Sequence, residues 1–278
     1  MSVINTNVSA MYSQNAMKTN ARAMSTAMEQ LSTGTRVNSA RDDAAGLAID
    51  QNMTSQIRGL NMAVRNLNDG INMMQTAEGA MVEQSNMLQR MRELAVQSLN
   101  GTYSSTQRGY LHAEFDQLNQ QIQKISAETM WNDQVLLDGG AKASGDGTFK
   151  FQAGAEKDIT IDVTIHNMGT ASGGLDIADT AITDVTAATT ALDKIGLALE
   201  KINSQRADIG AGINRMEYAV DNLSNISSNA TQSRSTIMDT DYAATTTQLA
   251  KTQIIQQAAT AMLAQANQQP QQVMQLLK

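Results

Sequence analysis

The sequence predicts a mainly α protein: a long coiled-coil-like helical bundle formed by both chain ends, with a small central β-hairpin region. Three observations carry that expectation. Apolar residues recur in alternating steps of four and three along both flanks of the 278-residue chain, the spacing of one helix face. Aromatic residues make up only 3%, proline occurs once, and there are 18 methionines; narrow helix seams fit that composition better than a wide core filled by large rings. Glycine and strict two-residue alternation are concentrated between the flanks.

From the start of the chain, Val3, Ala10, Met17, Met24 and Leu31 recur every seven residues, with Ala21 and Met28 interleaved. This is a heptad-like stripe of small and flexible apolar groups. The turn-forming cluster Ser32-Thr33-Gly34-Thr35 ends it. The next stripe is the strongest: Met53, Ile57, Leu60, Val64, Leu67, Ile71 and Met74, resuming at Met81, Leu88, Ala95 and Leu99. As one helix, residues 45–99 would reach roughly 80 Å. Asn100-Gly101-Thr102 supplies the stop. A third helix carries Leu111, Phe115, Leu118, Ile122 and Ile125 on one face.

Residues 138–180 have a different character. Ile159, Ile161, Val163 and Ile165 alternate with Thr160, Asp162 and Thr164, and Thr148 to Gln152 alternates around Phe149 and Phe151. With Gly154 to Asp158 between them, these runs read as a hairpin with one buried face. Helical spacing returns at Leu192, Ile195, Leu199, Ile202, Ile209, Ile213, Met216, Val220 and Leu223, broken only by Arg206. A last stripe holds Ile255, Ala259, Met262, Leu263 and Ala266, continued by Val273, Met274 and Leu277. Pro270 interrupts it, so a kink or frayed end is expected there.

Charge and residue usage exclude several classes of function. The net charge is −7 and no basic cluster could neutralise a row of phosphates, so nucleic acid is not an expected partner. No run of about 18 apolar residues exists to span a membrane, and no cleavable signal pattern opens the chain. Cysteine is absent, which removes disulfides and thiolate chemistry. The two histidines, His112 and His166, have no second histidine three or four residues away, so no two-histidine zinc motif exists. Asp42-Asp43 and Asp239-x-Asp241 are paired carboxylates, with helix capping the expected role rather than cation binding. No catalytic, cofactor-binding or metal-ligating set is expected, and the chain reads as no enzyme.

The stripes must be covered, because each buried Leu, Ile or Met is worth about 1.5–3 kcal/mol relative to exposure. Those of residues 53–99, 111–125 and 192–223 can satisfy one another within the chain. Residues 1–35 and 240–278 would pair as antiparallel helices and keep an outer apolar face, which further copies of the chain would cover. Periodicity alone also allows a bundle closed entirely within one molecule.

Specific motifs then narrow the choice. Ile4-Asn5-Thr6-Asn7, Leu31-Ser32-Thr33-Gly34 and the run from Asn38 to Ile49 resemble the opening of bacterial flagellins. The runs Gln89 to Gln97 and Arg234 to Ala243 are similar to the family too, as is the close, Ala264 to Gln268 with Pro270 and Leu276-Leu277. The resemblance covers roughly residues 1–140 and 190–278. It implies a short-form structural subunit of the extracellular flagellar filament, a homo-polymer that drives motility. Residues 1–44 with 236–278 would form the inner core, and residues 45–235 the outer core. It also implies export in an unfolded state, an export chaperone, and cap and junction proteins as partners. Arg90, Leu94 and Glu114, flanked by Gln89 and Glu93, match positions through which a host Toll-like receptor contacts flagellin monomers. The end of the chain, with Val273, Leu276 and Leu277, matches the region read by cytosolic innate sensors. Self-assembly would rest on Val3, Ala10, Met17, Met24, Leu31, Ile255, Met262, Leu263, Val273 and Leu277. The rival readings are a hook-filament junction protein and a soluble coiled-coil enzyme or regulator.

Overall fold

The computed structural model of the chain describes residues 6–139 and 147–276, with side chains of the last helix through residue 268. Val3 and Leu277 lie outside the described residues, and for Val273 only the backbone is described. The elements run α1 (Val8–Thr33), α2 (Ala44–Leu99), α3 (Ser105–Glu128), β1 (Met130–Trp131), β2 (Gln134–Val135), β3 (Thr148–Gln152), β4 (Thr160–Thr164), α4 (Val185–Met238) and α5 (Tyr242–Leu276). They group into two compact units, Met1–Gln56 with Ser228–Lys278, and Ile57–Ser227. The long helices α2 and α4 each contribute to both.

Every helix starts on a side chain that accepts from its first turn. Asn7 Oδ1 accepts from the Ala10 N–H at 3.0 Å, Asp43 Oδ1 from Gly46 at 2.8 Å, and Asp184 Oδ1 from Ala187 at 2.8 Å. Asp241 Oδ1 accepts from Ala243 at 2.9 Å, and Ser104 forms a full capping box with Gln107. Each such cap is worth about 0.5–2 kcal/mol, because the first N–H groups of a helix have no partner inside it. Asp43 and Asp241 are therefore caps. Asp42 folds a turn, accepting from the Asn38 N–H and from the Ser39 N–H and hydroxyl.

In the terminal unit, α1 packs antiparallel against α5. Residues shielded along α1 are Ala10, Ser13, Met17, Asn20, Met24, Ala27 and Leu31, and along α5 Thr245, Leu249, Thr252, Gln256, Ala259, Leu263 and Ala266. Both sets step by threes and fours, as a coiled-coil seam requires. Small residues at the seam bring the Cα atoms of the two helices within 8 Å of each other along their length. At one end, Gly34 terminates α1 in the left-handed region (φ +72°), where a side chain would be strained. Beyond it Thr35 bridges Asp239, the Thr240 N–H donates to Gly34 O at 3.0 Å, and the Arg36 guanidinium donates to Ile237 O.

The central unit has a different core. On α2, Leu60, Leu67, Met74, Met81, Leu88 and Ala95 are buried at strict seven-residue intervals, as are Ala63, Gly70, Ala77, Gln84, Met91 and Ser98. On α4, Ala188, Ile195, Ile202, Ile209, Met216 and Leu223 do the same. Phe115 and Ile122 of α3 close the core. The hairpin pairs Phe149 with Val163 and Phe151 with Ile161. Its inner face is admitted by two notches: a Cβ on Gly70 would lie 2.8 Å from Phe151, and one on Gly212 would lie 3.0 Å from Val163.

The glycine-rich middle segment is more than a hairpin. Leu136, Leu137, Ile165, Leu175, Ile177 and Ile182 are fully buried in the same core. Its backbone is held by polar side chains from the helices: Gln84 to Met168 O, Ser98 to Ile182 O, Asn119 to Ile177 O, Ser126 to Leu137 O, and Gln205 to both Thr164 O and the His166 N–H. Buried polar groups of the segment are thus partnered, which avoids the cost of stranding them.

Several expectations are corrected. Strand β4 begins at Thr160, and Ile159 is 47% exposed. Arg206, which interrupts the apolar series of α4, is half-buried and faces Glu78 at 3.5 Å within a continuous helix. A second, two-residue hairpin joins β1 and β2, turning through Asn132 and Asp133 at φ 50° and 62°; asparagine and aspartate tolerate the left-handed region better than other residues with a side chain. Helix α5 does not end at Pro270 but continues to Leu276.

Candidate assembly and recognition surfaces

The terminal pair also keeps apolar side chains exposed outside its seam. Val8, Met11, Tyr12 and Met28 on α1, with Tyr242, Ile254 and Met262 on α5, are each more than half exposed, and Ile255 is 40% exposed. The expected assembly residues therefore divide into two groups. Ala10, Met17, Met24, Leu31 and Leu263 line the seam between α1 and α5, whereas Ile255 and Met262 face outward. Asn20, Thr245 and Thr252 also line the seam, and being polar they do not register as part of an apolar stripe. Exposed apolar side chains occur on the central unit too, Leu197 and Tyr218 among them; those of the terminal pair stand out because the seam beside them is narrow and partly polar.

On the central unit, α2 and α3 bring together the charged residues expected at a recognition surface. Arg90 Nε donates to Glu114 Oε1 at 2.9 Å and Arg90 Nη1 to Glu93 Oε2 at 2.9 Å. Both carboxylates, Glu114 first, hold the Arg90 guanidinium protonated above its ordinary range. Gln89 is exposed beside them. Leu94 is not: at 1% exposure it belongs to the hydrophobic core beneath the ion pairs. The exposed apolar neighbour is Val96, which lines a shallow depression with Gln89, Arg92, Glu93 and Gln97.

Among the described residues no group of three or more histidine, cysteine or acidic side chains converges on one point. His112 packs tilted against Phe115 with ring centroids 6.3 Å apart. No described helix is long and apolar enough to cross a membrane.

Long helices, an antiparallel terminal pair and exposed apolar side chains on that pair define the architecture. Comparison with known proteins then gives the family. Residues 4–142 match the bacterial flagellin N-terminal helical region and residues 192–277 the bacterial flagellin C-terminal helical region. The chain is similar to a flagellin of Halalkalibacterium halodurans, 43% identical over 276 residues that span 99% of this chain and 100% of that one. A Bacillus subtilis flagellin is 42% identical over 302 residues, 99% of each chain. A putative flagellar hook-associated protein from Vibrio parahaemolyticus shares the fold, with TM-score 0.55 and 14% identity over 70% of this chain and 99% of that one. The chain belongs to the bacterial flagellins, structural subunits of the extracellular flagellar filament, and is a short form of them.

Proposed function

We propose that this subunit polymerises through its terminal pair, with α1 and α5 completed by the apolar faces of neighbouring copies. The observation that carries this reading is the exposure of Val8, Met11, Tyr12, Met28, Ile254 and Met262 on a pair whose own seam is narrow and partly polar. Ordering the terminal helices costs roughly 1–2 kcal/mol of backbone entropy per residue, and the seam offsets it weakly in a lone molecule. Docking adds the missing burial, so the termini order as the lattice forms. On the family pattern, subunits travel unfolded through the flagellar export channel with a chaperone, and add beneath a cap beyond junction proteins. Residues 1–44 with 236–278 then act as the inner core and residues 45–235 as the outer core.

The same reading extends to recognition of the monomer. The Arg90–Glu93–Glu114 cluster, with Gln89 beside it and Leu94 fixing the helix packing beneath, is the surface a host Toll-like receptor would bind. The end of the chain would engage cytosolic innate sensors.

Filament growth is tested by heating, cooling and adding ammonium sulfate, followed by sedimentation and negative-stain microscopy. Long fibres are expected; capped oligomers or a persistent monomer would fit a junction protein or an unrelated coiled coil and would overturn the assignment. A chain lacking residues 274–278 that activated cytosolic sensors fully would remove the proposed role of that end.

A further inference from the structure

Helix α5 passes through Pro270 without ending. Proline has no N–H, so the carbonyl four residues earlier, that of Ala266, loses its donor inside the helix. That carbonyl is in a buried residue, 8% exposed, where an unpaired acceptor is costly. The missing donor comes from the other end of the chain: Asn7 Nδ2 donates to Ala266 O at 2.8 Å. The same carboxamide caps α1, its Oδ1 accepting from the Ala10 N–H at 3.0 Å. One side chain closes two gaps, the bare first turn of α1 and the vacancy that proline leaves in α5.

The position of this contact gives it a role. Three cross-links fix the antiparallel register of the terminal unit. The Thr35–Asp239 bridge holds one end. Asn20 Nδ2, donating to Thr252 O at 2.8 Å and Gln256 Oε1 at 3.2 Å, holds the middle. Asn7 holds the far end. Polar side chains buried in a coiled-coil seam are the known means of fixing register. If α1 slid one heptad towards the interior of α5, Asn7 would meet the carbonyl of Ala259, which has its own donor four residues on, and Ala266 O would be left with none. In the opposite slide Asn20 would meet the carbonyl of Ala259 in place of Thr252 O but would lose the side-chain acceptor, because Leu263 would stand where Gln256 does.

We propose that Asn7 is the distal register lock of the terminal pair, and that it recognises the carbonyl which Pro270 leaves without a donor. Proline here is an address for Asn7. The inference deepens the assembly reading, because a terminal pair closed in one register presents one outer face to neighbouring copies.

A double-mutant cycle tests it. Asn7→Ser keeps a capping oxygen for α1 but withdraws the amide donor. Pro270→Ala returns an N–H to residue 270, which satisfies Ala266 O within α5. Asn7→Ser is expected to raise the critical concentration for filament growth roughly tenfold in the natural background, the size of one stranded buried acceptor. In the Pro270→Ala background it should change that value by less than about threefold. Equal effects in both backgrounds would overturn the proposal.

A second measurement does not depend on filaments. The chain has no cysteine, so cysteines at Ala10 and Leu263, which share the register of Asn7 and Ala266, report closure of the far end by disulfide yield in dilute solution. Asn7→Ser should lower that yield several-fold with Pro270 present and leave it unchanged with Pro270→Ala. If coupling appears in the disulfide yield while no variant forms filaments, the lock stands and the assembly reading falls. If filaments form without coupling in either measurement, the reverse holds.

Discussion

The terminal pair and the central unit use the same seven-residue spacing to opposite ends. In the central unit the repeat is filled by Leu60, Leu67, Met74, Met81 and Leu88 on α2 and by Ile195, Ile202, Ile209 and Met216 on α4, all essentially without exposure. In the terminal pair the large seam residues Met17, Met24, Leu31, Leu249 and Leu263 are only partly buried, and small or polar residues such as Ala10, Ser13, Asn20, Ala27, Thr245, Thr252 and Gln256 fill the rest. The first core is made of groups worth about 1.5–3 kcal/mol each on burial, and it stands by itself. The second brings two backbones close and fixes their register through amides, while leaving Tyr12, Ile254 and Met262 more than half exposed. Heptad spacing thus specifies where helices meet; the size of the residues at the seam decides whether the meeting suffices for one molecule.

The largest effect that would separate the two regions is a deletion. Removing residues 1–30 or 250–278 is expected to abolish filament formation by sedimentation, while the urea transition of the central unit keeps its midpoint. Truncated chains that still polymerised would erase the contrast. Next in size, Leu88→Ala should destabilise the central unit by about 2–5 kcal/mol in urea unfolding. Met17→Ala in the terminal seam should leave that transition in place and act on critical concentration alone. A smaller effect is expected for Gln205→Leu, which strands Thr164 O and the His166 N–H; a loss of about 1–3 kcal/mol follows from such groups, read by the same transition. Arg90→Ala and Glu114→Ala should leave melting temperature and filament growth unchanged but reduce signalling through the Toll-like receptor; unchanged signalling would remove that surface from the recognition reading. The smallest effect concerns pH. Bonds from the Ser39 hydroxyl and N–H hold Asp42 below its ordinary value of 3.8. Because the folded value is the lower one, its contribution is present above 3.8 and fades as pH falls through the folded value. Asp42→Asn should flatten the acid limb of stability measured by thermal melting.

The helical flanks were legible because α2 and α4 bury large residues at regular intervals, and period is what a sequence displays best. The hairpin was legible from Ile161 and Val163 alternating with Thr160, Asp162 and Thr164. Part of what stayed hidden is core positions filled by polar or small residues; Leu136, Leu137, Leu175, Ile177 and Ile182 were hidden because they follow no regular period. Gln84 and Ser98 occupy the second buried repeat of α2, yet look like surface residues until the backbone of residues 165–182 arrives to be bonded. Asn20 and Thr252 are concealed in the terminal seam for the same reason. The charged residues of the expected recognition surface come together, because Arg90 on α2 and Glu114 on α3 meet across antiparallel helices. Leu94 was misread, since spacing gives the face of a helix but not the depth at which its neighbour covers it.

Central to the account is a terminal pair that remains incomplete until copies of the chain cover it. Hydrogen exchange on the intact chain, compared between dilute monomer and assembled filament, tests this most directly. The expected result is weak protection of α1 and α5 in the monomer, strong protection in the filament, and equal protection of the buried stretches of α2 and α4 in both. Terminal helices as strongly protected in the monomer as in the filament would contradict it.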